Sequence, residues 1–231
     1  MEFTMNLWLW IGAAGMTAGT LPTAYRLLTG GKYRTLTATL FGITGIAAVA
    51  YIIMGFGYGI VSIGSQEVEV VRYADWLLTT PLMVLYLGLL SRPGRAILQR
   101  LVAVDVVVIL AGVAATAVPG IVQYVFFGIG MIAYLALVRL LVDTLPERAT
   151  FTSPREESSF VTLRNLTVIV WTLYPVVWVL APTGAGLLLP ETQALVFTYL
   201  DIVSKVGFVL VALRGMTALT DAPSEMSVSA D

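Results

Sequence analysis

Apolar residues dominate the chain in seven long runs, each bounded by glycine, proline or charged residues. The runs cover residues 5–28, 35–57, 70–90, 97–117, 121–142, 160–181 and 192–214. Each run is about twenty residues long, which is the length that an α-helix needs to cross a bilayer. The connections are short, so successive helices should be antiparallel neighbours. The pattern predicts an all-α membrane protein, a bundle of seven transmembrane helices.

The composition agrees with this fold class and narrows the function. Of the 231 residues, 58% are hydrophobic and 12% are charged, whereas about a quarter of the residues of a soluble domain are charged. The chain has no Cys and no His, which removes disulfides and the usual zinc ligands. We therefore expect a multi-pass protein of the cell membrane that contacts lipid, binds no nucleic acid and no metal, and is not an enzyme. Any chemistry must use carboxylates, lysine, tyrosine or a cofactor.

Apart from Lys205 and from Arg72, which is just inside the third run, the basic residues lie around alternate connections. They are Arg26, Lys32, Arg34, Arg92, Arg95, Arg100, Arg139, Arg148, Arg155, Arg164 and Arg214. The positive-inside rule then predicts that the N-terminus is outside and the C-terminus inside. Residues 1–219 form one transmembrane domain in this interpretation, and the small, polar stretch 220–231 is a disordered cytoplasmic tail. The second connection, around 58–63, is either a short hairpin or a plain loop.

The seventh run contains a carboxylate and an amine near its middle, Asp201 and Lys205. Four residues separate them, so a helix places them on one face. An unpaired charge at the bilayer centre costs roughly 2.5 to 3.5 kcal/mol, so such residues are usually paired and functional. A simple intramembrane ion pair is the alternative.

The third run places Arg72, Asp75, Trp76 and Thr79 on one helix face, at positions i, i+3, i+4 and i+7. This face must point into the bundle rather than towards lipid. Together with the seventh run it supplies two positive and two negative charges, a neutral set that a buried site tolerates. A purely structural charge cluster stays open as an interpretation.

The sixth run places Trp171, Tyr174 and Trp178 on one face. Aromatic residues at helical spacing usually form core packing. Together with Trp76 they would instead enclose a long, flat cavity that reaches the Lys205 amine. Burial in an apolar pocket favours the neutral, nucleophilic amine, which can form a Schiff base with an aldehyde.

Three stretches of the sequence resemble the microbial (type 1) rhodopsins of haloarchaea. They are RYADWLLTTP at 72–81, WTLYPVVW at 171–178 and YLDIVSKVGF at 199–208. The resemblance covers nearly the whole chain. Within that family the sequence is most similar to sensory rhodopsin II and the middle rhodopsins, for instance in FVTLRNLTV at 160–168.

The resemblance implies that all-trans retinal is covalently bound to Lys205 as a protonated Schiff base. Asp75 would be the counter-ion and proton acceptor, Asp201 the second counter-ion, and Arg72 their charge partner on the outer side. The residues that would surround the chromophore are Trp76, Trp171, Tyr174, Trp178, Thr79, Met83 and Tyr51. Thr80 and Asp105 would form a buried pair between the third and fourth helices, with a neutral carboxyl group.

The resemblance also implies a function: light isomerises the retinal, the Schiff-base proton passes to Asp75, and a slow photocycle signals to a membrane transducer in archaeal phototaxis. Proton pumps of the family have a carboxylic acid where this chain has Tyr86, and a phenol with a reference pKa near 10 is a poor donor at neutral pH. The outer carboxylate pair of the pumps is replaced by Thr183 and Gln193, unless a shifted alignment brings in Glu191.

Two residues bear on signalling. Ser204 lies where sensory rhodopsin II has a hydroxyl group bonded to the residue matching Tyr174, although a local bond to a preceding carbonyl is equally consistent. Tyr199 matches a contact with a two-helix membrane transducer, or it faces lipid or another helix. A homo-oligomer is a further open question.

The main alternative function is a light-driven outward proton pump of low turnover, since the acceptor Asp75 is present. A third hypothesis is a seven-helix transporter or channel without a chromophore. That protein would keep the charges but has no use for a lysine that faces an aromatic cavity.

Overall fold

The computed structural model describes residues 2–30, 33–64 and 66–220. Within these ranges the chain forms seven helices in the predicted order. They cover Glu2–Thr29, Arg34–Gly55, Val70–Ser91, Arg95–Ala117, Ile121–Glu147, Pro154–Leu180 and 190–220. The prediction of an all-α, seven-helix protein is confirmed. Lys32 and the predicted tail from 221 onwards lie outside the described residues.

Within the described residues, six helices are long and apolar enough to cross a membrane, the second to the seventh. The first helix contains three glycines at spacings of three and four residues, Gly12, Gly15 and Gly19. A side chain at Gly12 would overlap the ring of Tyr51 on the second helix, and one at Gly19 would lie 2.8 Å from Val206 on the seventh. These glycines therefore allow the first helix to pack closely against two neighbours.

The helices close into a ring. Consecutive helices from the first to the fifth pack side by side, and the seventh packs against both the first and the sixth. The third and sixth helices also contact each other. The interior of the bundle is thus shared by the third, sixth and seventh helices, which are the helices whose polar residues the sequence singles out.

The sixth helix begins at Pro154, earlier than the apolar run that starts at 160. Its N-cap is Ser153, whose hydroxyl accepts a hydrogen bond from the backbone N–H of Glu156 at 3.2 Å. Pro154 suits the first helical position because its missing N–H would have no partner there, and Glu156 and Glu157 complement the helix dipole. The polar start of this helix is therefore set by capping rather than by hydropathy.

The second connection is a hairpin, one of the two forms that the sequence allows. Its strands Ile60–Ile63 and Gln66–Glu69 are antiparallel, with Ile60 opposite Glu69. The second strand leads directly into the third helix, which begins at Val70. The hairpin therefore fixes the position of Glu69 at the start of that helix.

Two helices contain π-helical turns, which have one more residue per hydrogen-bonded turn than an α-helix. One covers Leu140–Thr144 near the end of the fifth helix, and the other covers Ile202–Gly207 in the seventh. The second of these includes Lys205, so this residue and Asp201 are not related by regular α-helical geometry as the spacing predicts.

Candidate functional site

A cavity of about 130 Å³ lies among the third to seventh helices. Most of the predicted site residues line it: Trp76, Thr80, Met83, Asp105, Trp171, Tyr174, Trp178, Asp201, Ser204 and Lys205. The structure thus brings together predicted side chains from four helices around one space.

The fourth and fifth helices supply a wall that the sequence analysis does not predict. Its residues are Val108, Ile109, Gly112, Phe127, Gly130, Met131 and Tyr134. In a membrane helix an inward apolar face cannot be told from a lipid-facing one by hydropathy. A signal is present in Gly112 and Gly130, since small residues on facing helices allow close approach.

Aromatic rings define the shape of the cavity. Trp76 meets Tyr174 edge to face, with ring centroids 5.3 Å apart. Trp178 stacks on Phe127 at 4.5 Å, with the two ring planes inclined by 15°. Such rings are rigid and apolar, so they favour a flat, elongated, apolar ligand.

Lys205 lies at one side of this cavity and is buried, with 1% of its side chain exposed. Its Nζ donates a hydrogen bond to Oδ2 of Asp75, a carboxylate that is also fully buried. The same Nζ lies 3.8 Å from Oδ1 of Asp201. The amine therefore faces two carboxylates, of which Asp75 is in direct contact.

Asp201 is held by neutral donors. Oδ2 accepts a hydrogen bond from the Tyr51 hydroxyl at 2.7 Å, and Oδ1 accepts one from the Tyr174 hydroxyl at 2.7 Å. The indole N–H of Trp76 donates to Oδ1 at 3.2 Å. Bonds of this kind stabilise the ionised carboxylate in a buried site. Tyr51, predicted beside the chromophore, lies in this charged cluster rather than among the residues that line the cavity.

Asp75 has a second polar neighbour. The hydroxyl of Thr79 donates to the backbone oxygen of Asp75 at 2.7 Å, and it lies 3.4 Å from Oδ1 of the same residue. Thr79 is fully buried and, like Tyr51, is not among the lining residues of the cavity. Its role in the structure is to position the Asp75 carboxylate.

Arg72 joins the cluster from the hairpin side, with 2% of its side chain exposed. Its Nη1 lies 3.8 Å from Oδ2 of Asp201, which is too far for a hydrogen bond. Its main partner is Glu69, which the sequence analysis missed: Nε donates to Oε2 at 2.8 Å and Nη2 donates to Oε1 at 3.4 Å. With Glu69 the cluster has three acidic and two basic groups, so the predicted neutral set of four charges is incomplete.

Thr80 and Asp105 are hydrogen-bonded between the third and fourth helices. The Thr80 hydroxyl donates to Oδ2 of Asp105 at 2.9 Å. Oδ1 of Asp105 has no hydrogen-bond partner among the described residues, although this residue is 1% exposed and lines the cavity. An ionised carboxylate would be costly in such surroundings, which favours the neutral acid.

The surroundings of the charged cluster are apolar on the side that lies beyond Lys205. Tyr86 is buried there and meets Phe208 edge to face, with ring centroids 5.5 Å apart. The buried side chains of Leu40, Ile43 and Leu87 pack in the same apolar cluster as Tyr86 and Phe208.

Ser204 and Tyr199 lie on different sides of the seventh helix. The Ser204 hydroxyl is 3.4 Å from that of Tyr174 and 3.3 Å from the backbone oxygen of Asp201, so the contacts for both predicted interpretations are present. Tyr199 is 65% exposed on the outer surface of the bundle. It therefore faces lipid or a partner, not the interior of this chain.

The fold and this site define a seven-helix membrane protein with a buried lysine at an aromatic cavity. The chain matches the family described as Bacteriorhodopsin-like protein over residues 3–219, and it belongs to that family. The predicted relationship to microbial rhodopsins and the predicted location in a membrane are thereby confirmed.

Among its relatives, the chain is 47% identical to Sensory rhodopsin-2 of Halobacterium salinarum, over 94% of this chain and 91% of the relative. It is 44% identical to Sensory rhodopsin-2 of Natronomonas pharaonis, over 91% of this chain and 88% of the relative. Its fold is similar to that of thermophilic rhodopsin from Rubrobacter xylanophilus, with a TM-score of 0.88, 37% identity and coverage of 94% and 98% of the two chains.

Proposed function

We propose that this protein is a retinal-binding photoreceptor of the cell membrane and that Lys205 holds the chromophore. The observation that supports this most directly is the buried Lys205 amine, in contact with the Asp75 carboxylate at the wall of an aromatic cavity. Relatives of 44% and 47% identity that are named Sensory rhodopsin-2 support the sensory role.

The residues of the cavity fit retinal. The walls are mainly apolar and aromatic, which suits a polyene, and the one amine that lines the cavity in the described chain suits its aldehyde. All-trans retinal, joined to Lys205 as a protonated Schiff base, would supply light absorption and a change of shape on isomerisation. Trp76, Trp171 and Trp178 would restrict that change to the space available between the helices.

The protein's own residues then move a proton over a short path. The proton on the Lys205 nitrogen is donated to Oδ2 of Asp75, its partner in the resting state. Asp201 already accepts hydrogen bonds from the hydroxyl groups of Tyr51 and Tyr174. The two carboxylates thus have different roles: Asp75 accepts the proton and Asp201 remains the counter-ion.

The return of the proton to Lys205 is slow in this proposal. The apolar cluster around Phe208 separates the lysine from the far side of the bundle, and Tyr86 offers a phenol instead of a carboxylic acid. A phenol with a reference pKa near 10 is a poor donor at neutral pH. The state in which Asp75 is protonated would therefore persist, which suits a signal rather than transport.

The signal would leave through the surface of the bundle to a two-helix membrane transducer. The hydroxyl groups of Tyr174 on the sixth helix and Ser204 on the seventh link the charged cluster to the seventh helix. The exposed Tyr199 offers an aromatic contact on the seventh helix. The positive-inside pattern orients this bundle with the N-terminus and the hairpin outside. The outward proton pump is the second candidate, because the acceptor Asp75 is present and directly bonded to the donor.

Light-induced pH change in vesicles that contain the retinal-loaded protein tests the proposal, with Lys205→Ala as the control. The wild type should become coloured and the variant should not. Little or no proton flux under continuous light, together with a slow photocycle, is expected for a receptor. A sustained outward flux comparable with that of a known pump would refute the sensory role, and a colourless wild type would refute retinal binding.

A further inference from the structure

Glu69 occupies a position from which it controls Arg72. It is the last residue of the hairpin's second strand and directly precedes the third helix. Pairing of Glu69 with Ile60 fixes its backbone. The carboxylate takes both Nε and Nη2 of the Arg72 guanidinium, at 2.8 and 3.4 Å, in a two-pronged ion pair.

The remaining contacts of Arg72 are weaker. Nη1 donates to the Tyr51 hydroxyl at 3.3 Å and lies 3.8 Å from Oδ2 of Asp201. The guanidinium also lies over the ring of Phe197, with its central carbon 5.3 Å from the ring centroid. Of the two described carboxylates that lie within 4 Å of Arg72, Glu69 is hydrogen-bonded and Asp201 is not.

The charges near Lys205 depend on this arrangement. Asp75 and Asp201 both face the Lys205 amine, and Arg72 is the other cation of the cluster. The negative charge of Glu69 offsets the positive charge of Arg72 from the hairpin side. Arg72 therefore attracts the two inner carboxylates, Asp75 and Asp201, less strongly. If Glu69 were uncharged, Arg72 would need to move by only about 1 Å to bond Asp201 directly.

We propose that Glu69 is a positioning residue that holds Arg72 away from Asp201 and so sets how readily Asp75 accepts the proton of Lys205. This inference rests on the proposed retinal-binding function. The Glu69 side chain is 32% exposed, in contrast to the other four charged groups, so it also couples this buried cluster to the aqueous phase. It does so from the hairpin, whose described residues are not part of the cavity wall.

The test uses Glu69→Gln and a matched control, Glu67→Gln. Glu67 lies on the same strand, has the same charge and is exposed. The readout is the pH at which acid shifts the absorption band to longer wavelength as Asp75 becomes protonated. With Glu69→Gln this midpoint should fall by about 0.5 to 1 pH unit, because Arg72 then stabilises the inner carboxylates. With Glu67→Gln it should stay within about 0.2 pH unit of the wild type.

A double-mutant cycle identifies the route of the effect. In an Arg72→Gln background, Glu69→Gln should lose most of its effect on the midpoint, since the residue acts through Arg72. An equal shift in both backgrounds would overturn the inference, and so would a Glu69→Gln midpoint equal to that of the control.

A crystal structure of Glu69→Gln gives a readout independent of colour. The distance from Arg72 Nη1 to Asp201 Oδ2 should shorten from 3.8 Å to about 3 Å; an unchanged distance would overturn the inference. A wild type that takes up no retinal would refute the proposed function and this inference with it. A coloured wild type with unshifted variants would refute this inference alone.

Discussion

Replacement of Glu156 by glutamine should lower the thermal stability of the protein substantially. Glu156 is 4% exposed and connects the start of the sixth helix to the end of the third. Its Oε2 accepts hydrogen bonds from N and Oγ1 of Thr152 at 2.6 and 2.9 Å and from Nη1 of Arg92 at 3.3 Å, and its Oε1 accepts one from Nη2 of Arg92. Arg92 Nη1 also donates to the backbone oxygen of Thr150 at 2.7 Å.

The loss of stability can be estimated from the four hydrogen bonds that the Glu156 carboxylate accepts. A glutamine has one oxygen, which can keep the Thr152 bonds, and its NH₂ group would then face Nη2 of Arg92, donor against donor. A hydrogen bond to a charged group contributes about 1.5 to 3 kcal/mol. Because 45% of the Arg92 side chain is exposed, we take the lower part of that range and expect a loss of about 2 kcal/mol. For a chain of this size that corresponds to a fall in Tm of about 4 to 8 °C.

The assay is the loss of visible absorption on heating in detergent, with Glu157→Gln as the matched control. Glu157 is in the same first turn of the sixth helix but is exposed, so its substitution removes the same interaction with the helix dipole and no buried bond. If the two variants melt within about 1 °C of each other, the reasoning from buried hydrogen bonds is wrong.

Two further substitutions test the proton path. Tyr86→Asp places a carboxylic acid in the return path of the proton, so the dark state should recover at least about tenfold faster in flash photolysis. Tyr86→Phe, the control, should not speed recovery. An unchanged recovery rate in Tyr86→Asp would contradict the account of slow return. Thr80→Val removes the 2.9 Å hydrogen bond to Asp105, so the carbonyl stretch of Asp105 in infrared difference spectra should move to higher wavenumber. Asp105→Asn identifies the band, and a band that does not move would contradict the pairing of Thr80 with Asp105.

The sequence was sufficient for the helices and for the inner charges. Asp75 and Lys205 lie in apolar runs, and the cost of exposing a charge to lipid requires both to face the interior. The inward faces of the third and seventh helices then lie close together inside the bundle. The same argument cannot find Glu69, because this residue lies outside the apolar runs and its approach to Arg72 depends on the register of the hairpin.

Other parts of the site were unpredictable for different physical reasons. Met131 lies in a helix that has no charged residue before Arg139, so no contrast between faces marks its part of the cavity wall. Arg92 and Glu156 are separated by 64 positions, and each has the character of a surface residue at a helix end. Their pairing follows from the packing of the third helix against the sixth, which the periodicity of each helix alone does not specify.

The π-helical turn at Ile202–Gly207 sets the rotation between the two halves of the seventh helix. Each residue of an α-helix adds about 100° of rotation. Because the π turn holds one residue more than an α turn, α-helical winding of the same residues would turn everything beyond it by about that angle relative to Asp201. The buried residues Phe208, Val209 and Ala212 would then lose the partners that they now pack against. Deletion of one residue within the turn would instead leave both halves of the helix in register, because the shortened segment could wind as a regular α-helix.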